Sequence, residues 1–328
     1  MARVTRKDIA QEAGVTETIV SYVLNGNRYV NKDKKARVLD AVKKLGYSPS
    51  PMARALKGKN SDHILFIADD LMSEHFGTII GEMEKLASEN GILVSLVSDR
   101  GDENFVKRVI NWSFDGIIIG SASVSNNDIQ TLINTGTPVI LLAINRYPQF
   151  EGNYGLINTG LYRGAKEVIN RFIKNGRHKI AYACFDEKAN EFNKNDNKYL
   201  GYKDYIINEE IIAHTIHSSD LMQDEIKKLY KETKFDALLA RTDNTALVAI
   251  TALKDLGLKI PEDVAVVGFN DSKVCNFTFP TLSSVRIKRR VIAKHAMQLL
   301  TILQKGEQKG VIVAELDTEV IERESFHE

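Results

Sequence analysis

The stretch 5-TRKDIAQEAGVTETIVSYVLNGN-27 decides how the N-terminal part of the chain folds. Thr5 stands three residues before Asp8, the spacing of a reciprocal helix cap, and Ile9, Ala10 and Ala13 fall on one face of the helix that follows. Gly14 ends that helix. Thr16 caps a second, in which Val20, Val23 and Leu24 form an i, i+3, i+4 apolar stripe and Asn25-Gly26-Asn27 makes the stop. A third helix is expected from about Asp33 to Leu45, with Ala36, Val38, Leu39, Val42 and Leu45 apolar and Gly46 beyond its end. Two helices joined by a tight glycine-containing turn, the second short and polar on its outer side, form a helix-turn-helix, whose second helix lies in the major groove of DNA.

Charge is distributed to match. The 328-residue chain has a net charge of only +1, yet residues 1–60 hold 13 Lys and Arg against 5 Asp and Glu, while the rest holds 31 against 38. A basic surplus confined to one small segment favours nucleic acid, because cationic side chains gain affinity by releasing phosphate counterions. A merely solvated helical segment is the plainer alternative.

Beyond residue 60 the pattern changes period. The apolar runs HILFIAD, ILVSLVS, GIIIG and PVILLA form one group, and KIAYACF, EIIAHTI, DALLA and VAVVGF a second, with helical segments between them. Strands spaced by roughly 25–30 residues with intervening helices read as βαβ units and a parallel sheet. Two groups of four predict two doubly wound subdomains. Ligands of such sheets bind beyond the carboxyl ends of the strands, so Asp69-Asp70, Asn145-Arg146, Asp243 and Asn270-Asp271 mark the expected cleft.

Other chemistries find little support. No apolar run reaches the roughly 18 residues of a membrane span, and no apolar stretch follows the basic start, so a cytoplasmic location is expected. The two cysteines, Cys184 and Cys275, are too few for a disulfide framework. His214 and His217 with Asp220 lack a well-spaced further ligand, and no phosphate-cradling or nucleophile-elbow motif occurs. Neither a metal, a cofactor nor an enzymatic activity is therefore expected.

The runs VTRKDIAQEAGVTETIVSYVLNG and VLDAVKKLGYSPSPMARAL resemble the headpiece and linker of the LacI/GalR family of bacterial transcriptional repressors. GRHKIAYA, FDALLARTDNTAL, LGLKIPEDVAVVGFND and PTLSSVRI resemble the family's effector-binding core, in order. The resemblance implies a small all-α helix-turn-helix domain followed by an α/β core of two doubly wound parallel-sheet subdomains, similar to periplasmic binding proteins. The headpiece would occupy 1–58, with a hinge helix at about 50–57. One core subdomain would comprise 61–158 plus 286–312 and the other 159–285 plus 313–328, the chain crossing near 158, 285 and 313.

The resemblance also implies roles. Thr5, Thr16, Glu17, Thr18, Ser21, Tyr22 and Asn25 form the DNA-binding set of the headpiece, with Glu17 and Thr18 at the variable positions that select the operator. Glu17 can accept from a cytosine amino group or simply complement the helix N-terminus, and Thr18 can touch a thymine methyl. Tyr22 stands where the family commonly has Arg, so a bidentate guanine contact is lost. Ser21 and Asn25 suit phosphates or backbone. In the hinge, Leu56 would enter the minor groove, with Ala53 permitting close approach and Arg54 near the backbone. The effector set implied is Asp70, His75, Phe76, Arg146, Lys198, Asp243 and Asn270, with Phe76 as a stacking face. Lys198 stands where Arg is common and Asn270 where Asp is common. The expected molecule is a homodimeric repressor of carbohydrate-related genes, binding a pseudo-palindromic operator and a sugar or sugar derivative. The alternatives are a sugar-binding or carbohydrate-processing protein with an incidental basic extension, and a regulator controlled by a partner protein.

Overall fold

Each helix of the N-terminal unit begins and ends on a residue suited to the task. In the computed structural model, which describes residues 4–26, 28–47, 61–98, 104–185, 193–204, 213–216 and 222–327, this unit runs to Ser61 and the core begins at Asp62. Helix α1 (Arg6–Ala13) starts on a reciprocal cap: the Thr5 side chain accepts from the Asp8 amide, and Asp8 accepts from the Thr5 amide at 2.7 Å. Helix α2 (Glu17–Asn25) is capped by Thr16, and α3 (Lys32–Leu45) by Asn31. Gly14, Gly26 and Gly46 close them in the left-handed conformation that glycine adopts without steric cost. Ile9, Ala10, Ala13, Val20, Val38 and Ala41 form the buried core, with Val23 and Leu24 packed at its margin. Of the apolar residues of α3, Ala36 and Leu39 are exposed, Leu39 at 48%. Three short helices enclose only a narrow stripe, and Val38 and Ala41 already fill it. The expected hinge helix, with Ala53, Arg54 and Leu56, lies outside the described residues.

The core contains two six-stranded sheets. The first has the order β11-β5-β4-β3-β1-β2, from β1 (His63–Ala68), β2 (Leu93–Val97), β3 (Gly116–Gly120), β4 (Val139–Leu142), β5 (Tyr154–Asn158) and β11 (Val311–Glu315). The second has the order β12-β10-β9-β8-β6-β7, from β6 (Ile180–Phe185), β7 (Ala213–Ile216), β8 (Ala237–Ala240), β9 (Ala265–Asn270), β10 (Ser283–Arg286) and β12 (Glu319–Ile321). Every pairing is parallel except that of β10 with β12. Helices cover both faces, so the strands are apolar on both sides: Ile64, Phe66 and Ala68 of β1 enter one cluster while Leu65 and Ile67 enter another. The eight expected runs are all strands. Of the four others, SSVR and EVI are short and polar, whereas VIVAE is an apolar run that the sequence reading did not single out.

These four strands tie the halves together. The chain leaves the first sheet after β5, leaves the second after β10, and leaves the first again after β11. Two expected boundaries need correction. Arg286 still pairs with Asn270 in the second sheet, and Val313 pairs with Leu156 in the first, so the crossings fall at 287–288 and 316–318. At the first crossing Gly160 has φ 78°, and a Cβ there would lie 2.7 Å from the Leu316 carbonyl of the third. Two of the three connections are thus in backbone contact.

Candidate functional site

On the headpiece, residues 17, 18, 21, 22 and 25 share one side of α2 by helical spacing. Glu17 and Thr18 are exposed and have no hydrogen-bond or ion-pair partner among the described residues. Their base-facing or solvated side is unobstructed. The Thr16 hydroxyl accepts from the Ile19 amide, and the Thr5 hydroxyl is committed to Asp8 at 2.7 Å, so both threonines act here as caps. Ser21 accepts from Asn25 Nδ2 at 3.0 Å and from Arg6 Nη1 at 3.4 Å, which fixes α2 against α1. Arg28, not singled out from sequence, lies over the Tyr22 ring at 5.2 Å and donates to its hydroxyl at 3.3 Å. A guanidinium is therefore present beside Tyr22, supplied from the loop after α2.

In the core, strand order locates a second site. The first sheet reverses direction of winding between β1 and β3, and the second between β6 and β8. Crevices open at the carboxyl ends of such pairs. After β1, Asp69 accepts from the Ser121 hydroxyl, the Ala122 amide at 2.7 Å and the Ser123 hydroxyl at 2.8 Å. The neighbouring Asp70 is exposed and turns onto the Met72 amide at 3.0 Å. Ser73 then caps α4 (Glu74–Ser88). From its first turn Glu74 reaches across to the second subdomain, accepting from the Lys273 amide at 3.0 Å and facing Arg289 Nη1 at 3.5 Å.

The opposite wall is built on α8 (Asn197–Lys203) and on the start of α10 (Asp243–Asp255). Asp196 caps α8 through the Lys198 and Tyr199 amides and takes a third bond, 2.8 Å, from Arg241 Nε. Lys198 is buried, donates to the Arg241 carbonyl at 2.8 Å and to Asn270 Oδ1 at 3.2 Å, and sits 4.3 Å from the centre of the Phe269 ring. Gly201 holds α8 tight against the Tyr162 carbonyl of α7 (Leu161–Lys174), where any Cβ would collide. Asp243 accepts from the amide and hydroxyl of Ser272, at 2.7 and 2.6 Å, and from the Ser284 hydroxyl. Asn270 and Asp271 both have positive φ, 108° and 51°, which marks a strained bend at the cleft edge.

The electrostatics follow from burial. Burial lowers His75 to about 3, helped by Lys198, Arg289 and Arg241, so its ring is neutral and lies near Lys198 and Arg241 of the opposite wall and Arg289 of its own. Burial and then Arg241 lower Lys198 to about 7. Asp196 acts the other way on Arg241, holding it firmly charged. Desolvation raises Asp243 despite its serine donors.

The expected effector residues thus separate. His75, Lys198 and Asn270 come together. Asp243 lines the same wall but is bound by serines. Arg146 is largely exposed over the Tyr162 ring and beside Asp204 at 3.6 Å, on the flank where Arg146 and Asn197 amides bond to the Asn195 and Ile144 carbonyls. Phe76 is corrected: its ring is 8% exposed, edge-on to Phe66 and packed where Gly120 leaves room, so it belongs to the core and offers no stacking face. Asp196, Arg241, Glu74 and Arg289 were missed. A lone Arg after DALLA and an Arg heading a helix carry no local signal; only the topology brings them together. Among the described residues no cluster suited to a metal occurs, and a groove of about 830 Å³ lined by Lys254, Pro261, Phe279 and Arg323 contains none of the cleft residues.

Comparison with known proteins agrees with both parts. Residues 5–50 match the family model for bacterial regulatory proteins of the lacI family, and residues 169–326 that for a periplasmic binding protein-like domain. The HTH-type transcriptional regulator RegA of Clostridium saccharobutylicum is 30% identical, over 97% of this chain and 98% of its own. The HTH-type transcriptional repressor PurR of Histophilus somni is 27% identical over 98% of each. The structure of the lac repressor dimer bound to operator and an anti-inducer superposes with a TM-score of 0.81 over 99% of each chain at 22% identity, a likeness of fold.

Proposed function

The chain belongs to the lacI family of bacterial regulatory proteins, and from that premise we propose that it is a cytoplasmic transcriptional repressor binding a pseudo-palindromic operator as a homodimer. A small polar effector held between the two core subdomains sets its operator affinity. The observation that carries the DNA reading is α2: two exposed side chains, Glu17 and Thr18, with no partner among the described residues, on a nine-residue helix clamped from behind by Val20. The proposed DNA contacts are Glu17, Thr18 and Tyr22 to bases, and Thr5, Thr16, Ser21 and Asn25 to the backbone. Ala53, Arg54 and Leu56 remain the proposed hinge contacts.

For the effector, the supporting observation is that the winding reversals of both sheets open onto one cleft, where His75, Lys198 and Asn270 meet. The carbohydrate-processing alternative would need a pair of free carboxylates. Asp69, Asp196 and Asp243 each already accept three hydrogen bonds, which favours binding over catalysis. Effector binding favours one relative orientation of the subdomains and so changes whether two headpieces fit the operator together; a coupling of about 1–3 kcal/mol gives useful control.

Selection of random duplexes with the full-length protein, followed by anisotropy titrations over a salt series, tests this reading. A palindromic consensus is expected, bound about 10³-fold or more above non-specific DNA, with affinity falling steeply as salt rises. Equal affinity for all duplexes at every salt concentration overturns it.

A further inference from the structure

Among the described residues, four buried side-chain polar atoms lack a hydrogen-bond partner: His75 Nδ1, Tyr182 Oη, Arg289 Nη1 and Thr159 Oγ1. Native proteins leave few such groups, and each calls for an explanation. Two of the four, His75 Nδ1 and Arg289 Nη1, belong to the cleft, the second facing Glu74 at 3.5 Å, and Tyr182 lies in the core behind it, 1% exposed. Arg289 and Lys198 both lower the proton affinity of His75, and Tyr182 feels both Asp196 and Arg241. Arg241 adds further donors: only its Nε has a partner, and its two Nη groups have none among the described residues.

Net charge does not explain this set, since Lys198, Arg241 and Arg289 are balanced by Asp196, Asp243 and Glu74. Hydrogen-bond valence does. A carboxylate has about four acceptor sites, and Asp69, Asp196 and Asp243 have three filled each. Lys198 uses two of its three protons, on the Arg241 carbonyl and Asn270. The walls therefore hold surplus donors and few free acceptors. A neutral sugar hydroxyl presents a donor for each acceptor it offers, and such a wall answers only half of it. An oxyanion presents acceptors alone, and charge-assisted bonds to it are about twice as strong as neutral ones.

We infer that the effector carries an anionic group, a phosphate ester or a carboxylate, seated on Lys198, Arg241 and Arg289 beside the ring of His75. This rests on the reading that the cleft holds an effector. The lowered proton affinity of Lys198 fits the same account, because an anion beside it restores the charge that burial and Arg241 oppose.

The experiment is a thermal-shift and calorimetric comparison on the full-length protein with matched ligands: glucose, glucose 6-phosphate and gluconate; ribose and ribose 5-phosphate; and inorganic phosphate. The expected result is that a phosphorylated or carboxylated member binds about tenfold or more tightly than its neutral parent. The ester and the carboxylate arms tell which anion is taken. Lys198→Gln and Arg289→Gln should each weaken that binding about tenfold while leaving binding to non-specific DNA unchanged. If one variant fails to fold, the other gives the same readout. Neutral sugars binding as well as their acids overturn the inference and leave the cleft as an effector site. Anion binding that persists in a folded variant places the anion elsewhere, as on the basic headpiece, and also overturns it. No response to any ligand of either class overturns both the inference and the effector reading.

Discussion

Tyr22 shows how one side chain changes what a fixed helix reads. Its hydroxyl and ring are engaged by Arg28, so the phenol holds a guanidinium where the family commonly has one of its own. Tyr22→Arg is expected to shift one position of each half-site towards guanine without unfolding the headpiece, and a repeated duplex selection reads this out; an unchanged consensus would mean that residue 22 faces no base. In the cleft, His75 is neutral in the folded chain down to about pH 3, while its unfolded form protonates near 6.5. The unfolded state then binds more protons between those values, and stability present above pH 6.5 is lost as pH falls. Urea unfolding at pH 7.5 and pH 5 should show a smaller loss for His75→Gln than for the parent. Lys198 titrates at about 7 in the free protein, facing Arg241, Asp196, Asp243, Cys184 and His75. As pH rises above 7 the ammonium is lost, so anion affinity should fall by up to about tenfold per pH unit. Calorimetry at pH 8 in buffers of different ionisation enthalpy should show uptake of up to one proton per ligand.

At the scale of elements, caps and close approaches place the functional side chains. The 14–16 turn and the Thr16 cap were legible because capping chemistry is local: a hydroxyl followed by an apolar i, i+3, i+4 stripe has few other readings. Helix α8 was hidden for the opposite reason. Seven residues long, it owes its position to Asp196, which closes its N-terminus and neutralises Arg241 from a strand 45 residues away. Asp196→Ala removes the cap and leaves a buried guanidinium unpaired, an expected loss of about 3–5 kcal/mol measured by urea unfolding, which Arg241→Met in the same chain should partly restore. Phe76 was misread because sequence places a residue beyond a strand end without telling which way its ring turns. Gly120, small enough to admit that ring, decided it.

For the whole molecule, the eight apolar runs sufficed to predict two parallel sheets. How the sheets exchange strands was not legible, since β10 and β12 are too short and polar to stand out. Glu74 is the complementary device: from the first subdomain it bonds the Lys273 amide of the second, a hydrogen bond that spans the cleft. Glu74→Ala is expected to increase the radius of gyration of the free protein in X-ray scattering and to shift operator affinity in the same titrations, because the balance of open and closed forms changes. The strand exchange has a consequence for how the protein is made. Val311–Glu315 completes the first sheet, Glu319–Ile321 and the buried Phe326 complete the second, and all follow residue 310. On the ribosome the DNA-reading helices emerge before the core, yet neither half of the core can close until translation has passed its final strand, Val311–Glu315 for the first sheet and Glu319–Ile321 for the second. A nonsense mutation almost anywhere upstream therefore yields unfinished sheets that cellular proteases clear, and a gene cut short behaves as a null allele that leaves its operator free.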